Sequence, residues 1–234
     1  MTLRLYYHPF SSFCQKALIA LYEHDLPFER QIVDLGDPAD RAALAALWPF
    51  AKFPLLRDEA RGVTLPESSV IVEYVDRLAG AGSARLVPDD PDAALAVRLW
   101  DRLFDLYVDV PLQTIVIDAL RGAGGNAAGV ADARTTLATA YRVIEAELAR
   151  HRGDWATGAA FTMADCAAAP ALLYANIAVP FAGHQRLAGY FERLLARPSF
   201  ARAVEEARPF RHYFPLGWPE GYPGTGPASN ARSS

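Results

Sequence analysis

Strand-like patterning in this chain stops near residue 80, and that boundary limits the folds open to it more than any other feature. Before it, short apolar runs rich in aromatic and β-branched residues alternate with turns and helical stretches. After the small-residue break Ala79-Gly80-Ala81-Gly82-Ser83 and the turn Pro88-Asp89-Asp90-Pro91, only helical spacing is found. The pattern predicts an α/β domain over residues 1–80 and a linker over 81–90. An all-helical domain over 91–208 and a tail rich in Pro, Gly and aromatics over 209–234 then follow.

Within the first domain, Leu3 to Tyr7 read as a strand that His8-Pro9 interrupts. Cys14, Leu18 and Leu21, with Ala17 beside them, then give one apolar face to a helix entered at Ser11 and Ser12. A helix entrance has unpaired N–H groups and the positive end of the macrodipole, so it can hold an anion or help an acid ionise. Ser11 taken alone reads as an ordinary N-cap sooner than as a catalytic group, and Cys14 as a buried small hydrophobe sooner than as a nucleophile.

Phe28 to Val33 read as a second strand, Asp34 to Asp40 as a loop, and Arg41 to Leu47 as a short helix. Phe53-Pro54-Leu55-Leu56 reads as a strand starting at a proline, which requires an edge or a special peptide bond. Gly62 to Leu65 can hairpin back against it. Pro66-Glu67-Ser68-Ser69 then opens a helix marked by Val70, Tyr74 and Leu78. The order βαβ, helix, ββα predicts a four-stranded sheet.

In the second half, Leu95, Leu99, Leu106 and Val110 line one face of a long helix, Trp100, Phe104 and Tyr107 line its neighbour, and Pro111 should kink it. Residues 121–129 read as a loop, and Leu137, Tyr141, Ile144 and Leu148 mark the next helix. Thr162-Met163-Ala164-Asp165 has capping-box spacing ahead of an apolar helix around residues 166–174, which belongs at the centre of a bundle. Helices near 185–195 and 200–206 complete it.

Composition excludes several classes of function. A net charge of −4 gives no footprint for nucleic acid or an acidic membrane surface. Two cysteines make no disulfide framework, and no His/Cys cluster has metal-ligand spacing. The N-terminus has no secretory pattern, and the most apolar window, 167–183, is too short to span a bilayer, so a reducing cytoplasm is expected.

The architecture and four motifs together resemble the cytosolic glutathione transferases, in particular the bacterial-type, serine-class members, over residues 1 to about 208. Ser11-Ser12-Phe13-Cys14-Gln15-Lys16 is similar to the family's first helix entrance, Lys52-Phe53-Pro54 to its K-V-P segment, Glu67-Ser68 to its E/Q-S pair, and Thr162 to Asp165 to its buried cap. Ala51 and Phe53 stand where glycine and valine are common. The resemblance implies a thioredoxin-like N-terminal domain with a mixed sheet, a homodimer and glutathione as co-substrate without a metal.

It further implies that Ser11, with Ser12 beside it, serves the catalytic position. Phe53, before a cis Pro54, pairs its backbone with the cysteinyl part of glutathione. Glu67 and Ser68 hold the γ-glutamyl group, and Lys52 is a candidate for the glycyl carboxylate. Phe10, Tyr107 and Val110 are candidates for a small apolar electrophile in the cleft between the domains. Conjugation is the expected reaction, as in detoxification. An isomerase, dehalogenase or peroxidase using the same serine, or a non-catalytic binding member of the fold, are the alternatives. A thiol reductase is disfavoured because Ser11 stands where a redox relative has cysteine.

Overall fold

The computed structural model describes residues 2–80, 82–181 and 183–224. The N-terminal domain is thioredoxin-like, with a mixed four-stranded sheet. Its elements are β1 (Leu3–Tyr7), α1 (Ser12–Glu23), β2 (Phe28–Ile32), α2 (Pro38–Leu47), β3 (Leu55–Asp58), β4 (Val63–Pro66) and α3 (Ser68–Leu78). The strand order is β2-β1-β3-β4, with β2 parallel to β1 and the other pairs antiparallel. Leu3, Leu5 and Tyr7 all point to one buried side of β1, the period of two that their spacing predicted.

The apolar face of α1 lies under that sheet, with Cys14, Ala17, Leu18 and Leu21 fully buried. β3 is an interior strand, so Pro54 is not excused by an edge. It precedes the strand instead, and the Phe53–Pro54 peptide is cis. α2 begins three residues earlier than predicted because Asp37 caps it and Pro38 takes the first helical position, where no N–H is needed. In α3 the buried face is Ile71, Val72 and Val75, whereas Val70 is exposed, so the Val70/Tyr74/Leu78 stripe is not the one the core chose.

Ala51 has φ +48°, a left-handed conformation that puts its Cβ against the following carbonyl. Ala51→Gly removes that clash, and a gain of about 0.5–1 kcal/mol is expected in urea unfolding, after allowance for the freer unfolded chain.

The second domain is helical: α4 (Pro91–Leu103), a π-helical stretch (Phe104–Asp109), α5 (Val110–Arg121), α6 (Ala127–Leu148), α7 (Met163–Ala178), α8 (Gln185–Ala196) and α9 (Pro198–Ala207). Pro111 is the second residue of α5, with Val110 between it and the end of the π-helical stretch at Asp109, so the ladder widens shortly before the residue that cannot donate to it. Leu95, Leu99, Leu106 and Val110 face outward, and Ala94, Val97, Phe104 and Val108 face the core. The connection to α6 is shorter than predicted, because α5 runs to Arg121 and Asn126 already caps α6.

α7 is buried almost throughout and carries Pro170 inside it. Its N-terminus is tied down by Asp165, whose carboxylate accepts from the Thr162 N–H at 2.8 Å, the Ala156 N–H at 2.8 Å and the Tyr190 hydroxyl at 2.6 Å. Asp76 does similar work for the linker by accepting from the Leu86 N–H at 2.7 Å. After α9 a short 3-10 segment (Arg208–Tyr213) leads the tail back over α7, where the Tyr222 hydroxyl donates to the Leu173 carbonyl at 2.7 Å and Phe214 is buried. The expectation of disorder at the chain end falls on 225–234, outside the described residues.

Candidate functional site

The turn into α1 is held from inside. Gln15, fully buried, donates its amide N–H to the Pro9 carbonyl at 2.9 Å and to the Tyr174 hydroxyl at 2.8 Å, and the Ser11 N–H donates to the His8 carbonyl at 3.0 Å. Ser11 is the N-cap, in extended backbone, with its Oγ accepting from the Cys14 N–H at 3.4 Å. Its hydroxyl also reaches the buried Cys14 thiol, a weak acceptor. Ser12 differs, since its hydroxyl donates to Asp109 Oδ2 at 2.9 Å.

Two cavities open at this helix entrance. One, of about 290 Å³, is lined by Lys52, Phe53, Pro54, Glu67 and Ser68, with Phe13 and Trp48 on one side and Arg102, Asp105, Val110 and Gln113 on the other. The second, about 190 Å³, is lined by Phe10, Ser11, Ser12, Asp109, Leu112, Gln113, Val116 and Tyr174, and tail residues Tyr213, Phe214 and Pro215 close it. Gln113 belongs to both, so α5 is their common wall.

The first cavity has the polar groups of an anchor. Glu67 has φ +70°, a sparsely populated conformation for a residue with a side chain. It sits at the N-cap position of α3 with no side-chain capping bond, so the first N–H groups of α3 face the cleft beside the buried Ser68. An anion would meet N–H groups and a positive helix end there. Lys52 is exposed at the rim.

Behind Ser68 lies a buried ionic cluster that joins the two domains. Lys16, 1% exposed, pairs with Asp101 at 2.6 Å and Asp105 at 2.7 Å and donates to Ser69 Oγ at 2.8 Å. Arg102 closes the cluster from the cleft side against Asp101, Asp105 and Ser69. Burial raises the Asp105 carboxyl, with Lys16 pulling the other way.

The second cavity is mostly apolar, with a buried carboxyl in its wall. Asp109 is 2% exposed; its Oδ2 accepts from Ser12 and, at 3.3 Å, from Gln113, while Oδ1 has no partner. Burial pushes this carboxyl up to about 7, against the hydrogen bond from Ser12.

Phe10 lines the second cavity, in edge contact with Tyr174 at 5.2 Å between ring centres. Val110 lines the first cavity rather than the second. Tyr107 belongs to neither: it is exposed in a separate groove against Thr135, Thr136, Thr139 and Val143 of α6, on the face of its helix opposite the buried Phe104 and Val108. Cys14 is fully buried and its thiol is pushed up to about 12 by burial, so it is no redox nucleophile. Lys16, Arg102, Asp105, Asp109 and Gln113 were not singled out by the sequence: the bonds that bring them to the site, Lys16 to Asp101 and Asp105, Arg102 to Ser69 and Ser12 to Asp109, join residues remote in the chain. Among the described residues no group of three or more His, Cys, Asp or Glu side chains could hold a metal ion, and no helix is long and apolar enough to cross a membrane.

Comparison with known proteins gives the same two halves. Residues 5–83 match the model of the glutathione S-transferase N-terminal domain, and residues 103–198 that of the C-terminal domain. The chain is similar to a glutathione S-transferase from Methylobacterium radiotolerans in complex with glutathione sulfonate. The two are 31% identical with a TM-score of 0.74, over 87% of this chain and 94% of that one. It is similar also to one from Methylobacillus flagellatus with GSH bound, at 26% identity and a TM-score of 0.77 over 86% and 98% of the two chains. A glutathione S-transferase of the plant Silene vulgaris is 26% identical over 87% of this chain and 97% of its own length.

Proposed function

The chain belongs to the glutathione S-transferase family, and from that premise we propose that it ionises glutathione at Ser11 and transfers the sulfur to a small apolar electrophile. Glutathione lies in the cleft between Lys52 and Ser68. Its γ-glutamyl carboxylate meets the hydroxyl and N–H of Ser68, its ammonium meets Glu67, the backbone of Phe53 pairs with the cysteinyl unit, and Lys52 faces the glycyl carboxylate. The thiol then reaches the junction of the two cavities. The electrophile occupies the one walled by Phe10, Leu112, Val116 and Phe214.

The observation that carries this reading is the difference between the two serines. Ser12 has committed its hydroxyl to the Asp109 carboxylate, whereas Ser11, at the positive end of α1, meets only the Cys14 N–H and the buried Cys14 thiol, from which a thiolate can draw its hydroxyl. A free thiol has a pKa of about 8.5, and lowering it by about two units takes about 2.7 kcal/mol. A hydroxyl donating to a charged acceptor contributes about 1.5–3 kcal/mol, and a helix N-terminus about 0.3–1 more. Ser11 therefore suffices without a histidine base, acting as a donor and not as a nucleophile.

The test is a glutathione titration of the purified protein near neutral pH, read as thiolate absorbance near 240 nm. Saturable thiolate formation is expected, together with retention on immobilised glutathione; absence of both leaves a non-catalytic member of the fold. In Ser68→Ala the dissociation constant should rise about tenfold through the lost bond to a carboxylate, while the saturated complex still ionises the thiol.

The same reading takes the protein to be a cytoplasmic homodimer. Support for the homodimer is the outward apolar pair Leu95 and Leu99 on α4, together with Phe50 at 70% exposure on the other domain. A second copy would cover both.

A further inference from the structure

We propose that Ser12 and Asp109 form a proton-storing pair that takes the proton of the glutathione thiol and returns it to the electrophile, which makes an epoxide the class of substrate this site is built for. The inference rests on the transferase reading above and goes beyond it. Asp109 lines the electrophile cavity, is almost fully buried, and shares one oxygen with the Ser12 hydroxyl while the other has no partner. A buried carboxylate with one oxygen unsatisfied is poorly solvated, so the pair holds a proton readily.

The surrounding groups keep it near balance. Lys16 and the uncharged Gln15 come from α1, Asp101 and Arg102 from α4, Asp105 from the same stretch, Gln113 from α5 and Tyr174 from α7, while α6 meets the stretch through Thr135, Thr136, Thr139, Ala140 and Val143. Burial raises the Asp109 carboxyl, the hydrogen bond from Ser12 lowers it, Asp105 raises it and Lys16 lowers it, and the outcome is a value of about 7, where a proton can be both accepted and released.

The chemistry balances. As the thiol ionises, Ser12 Oγ accepts its proton and passes its own hydroxyl proton to Asp109, leaving a thiolate held by Ser11 and a neutral carboxyl. The thiolate then forms a C–S bond to an epoxide carbon as the C–O bond breaks and its electron pair moves to oxygen. Ser12 gives its proton to that oxygen and regains the one stored on Asp109. Thiol and epoxide have become a hydroxy thioether, and the pair is as it began. An aryl halide needs no such proton, because chloride leaves as an anion and the stored proton must be lost to water.

The first readout needs no electrophile. Glutathione is added at pH 7.5 in weak buffer with an indicator dye, alongside the 240 nm titration. Wild type is expected to form thiolate while releasing well under one proton per site, and Asp109→Asn about one, since its thiol proton has nowhere else to go. Ser12→Ala removes the bond that holds the carboxyl down, so Asp109 already carries a proton before glutathione binds; release should approach one there too, and this variant serves if Asp109→Asn fails to fold. Turnover gives the second readout. The ratio of kcat/KM for styrene oxide to that for 1-chloro-2,4-dinitrobenzene should fall about a hundredfold in Asp109→Asn, the usual scale of general acid catalysis.

Thiolate formation with about one proton released by wild type overturns the relay alone. So does an unchanged substrate ratio, or a wild type that uses the aryl halide and not the epoxide. No thiolate in wild type overturns the transferase reading, and the relay falls with it.

Discussion

Ser11→Ala is expected to raise the pKa of bound glutathione by about one to two units and to lower kcat near neutral pH by about tenfold to a hundredfold, with the glutathione dissociation constant almost unchanged. The magnitude comes from the one bond removed, a hydroxyl donating to a thiolate. The dissociation constant is spared if, as proposed, the peptide portion of glutathione is anchored in the other cavity, at Glu67 and Ser68, away from Ser11. A change confined to kcat is the mark of an interaction made with the ionised species.

Ser11 is also the cap of α1, and the substitution disturbs the helix as well. The cap bond is long, 3.4 Å, so the stability cost should lie toward the low end of the usual 0.5–2 kcal/mol, about 0.5–1 kcal/mol. Two further variants separate the roles. Ser11→Gly keeps most of the cap's stability and should lose ionisation as fully as alanine does, while Ser11→Thr keeps both hydroxyl and cap and should retain most of it. Thiolate absorbance near 240 nm across pH 5 to 9 is the measurement. Ionisation surviving in the glycine variant would remove Ser11 from the mechanism.

Much of this scaffold was legible because local chemistry and tertiary demand agree. Cys14, Leu18 and Leu21 were read as a buried face and are fully buried; Leu137, Tyr141, Ile144 and Leu148 likewise face the core. The Thr162–Asp165 spacing declares its cap because the partners lie three residues apart. Where the reading failed, the cause was tertiary. Leu95, Leu99 and Leu106 repeat as a core stripe does, but they lie on the outward face while smaller Ala94 and Val97 meet α7. Asp109 and Ser12 are 97 residues apart, and no local pattern connects them. Lys16, in an exposed-looking helix position, gives no sign that Asp101 and Asp105 will bury it.

Lys16→Met should then be the most destabilising of the changes considered, with an expected loss of about 3–5 kcal/mol at pH 7.5, because it leaves the carboxylates of Asp101 and Asp105 buried with only Arg102 to balance them. Methionine matches the length of the lysine stem, so the loss reports charge more than packing. The pH dependence tests that attribution. Burial already raises the Asp105 carboxyl in the folded protein, and removing Lys16 takes away the chief opposing influence, so it rises further. A carboxyl raised on folding binds more protons in the native than in the unfolded state, so the stability of the variant falls as pH rises above the unfolded value of about 3.9 and levels off beyond the folded one. The deficit relative to wild type should therefore narrow on going from pH 7.5 to 5, as urea midpoints at the two values would record. A deficit independent of pH would mean that Lys16 acts by packing alone. The cluster also supports Ser69, the neighbour of Ser68, and contributes Asp105 and Arg102 to the first cavity, so glutathione binding should weaken in the same variant at pH 7.5. Stability of the domain junction and occupancy of the anchor site are thus coupled through one buried ammonium group.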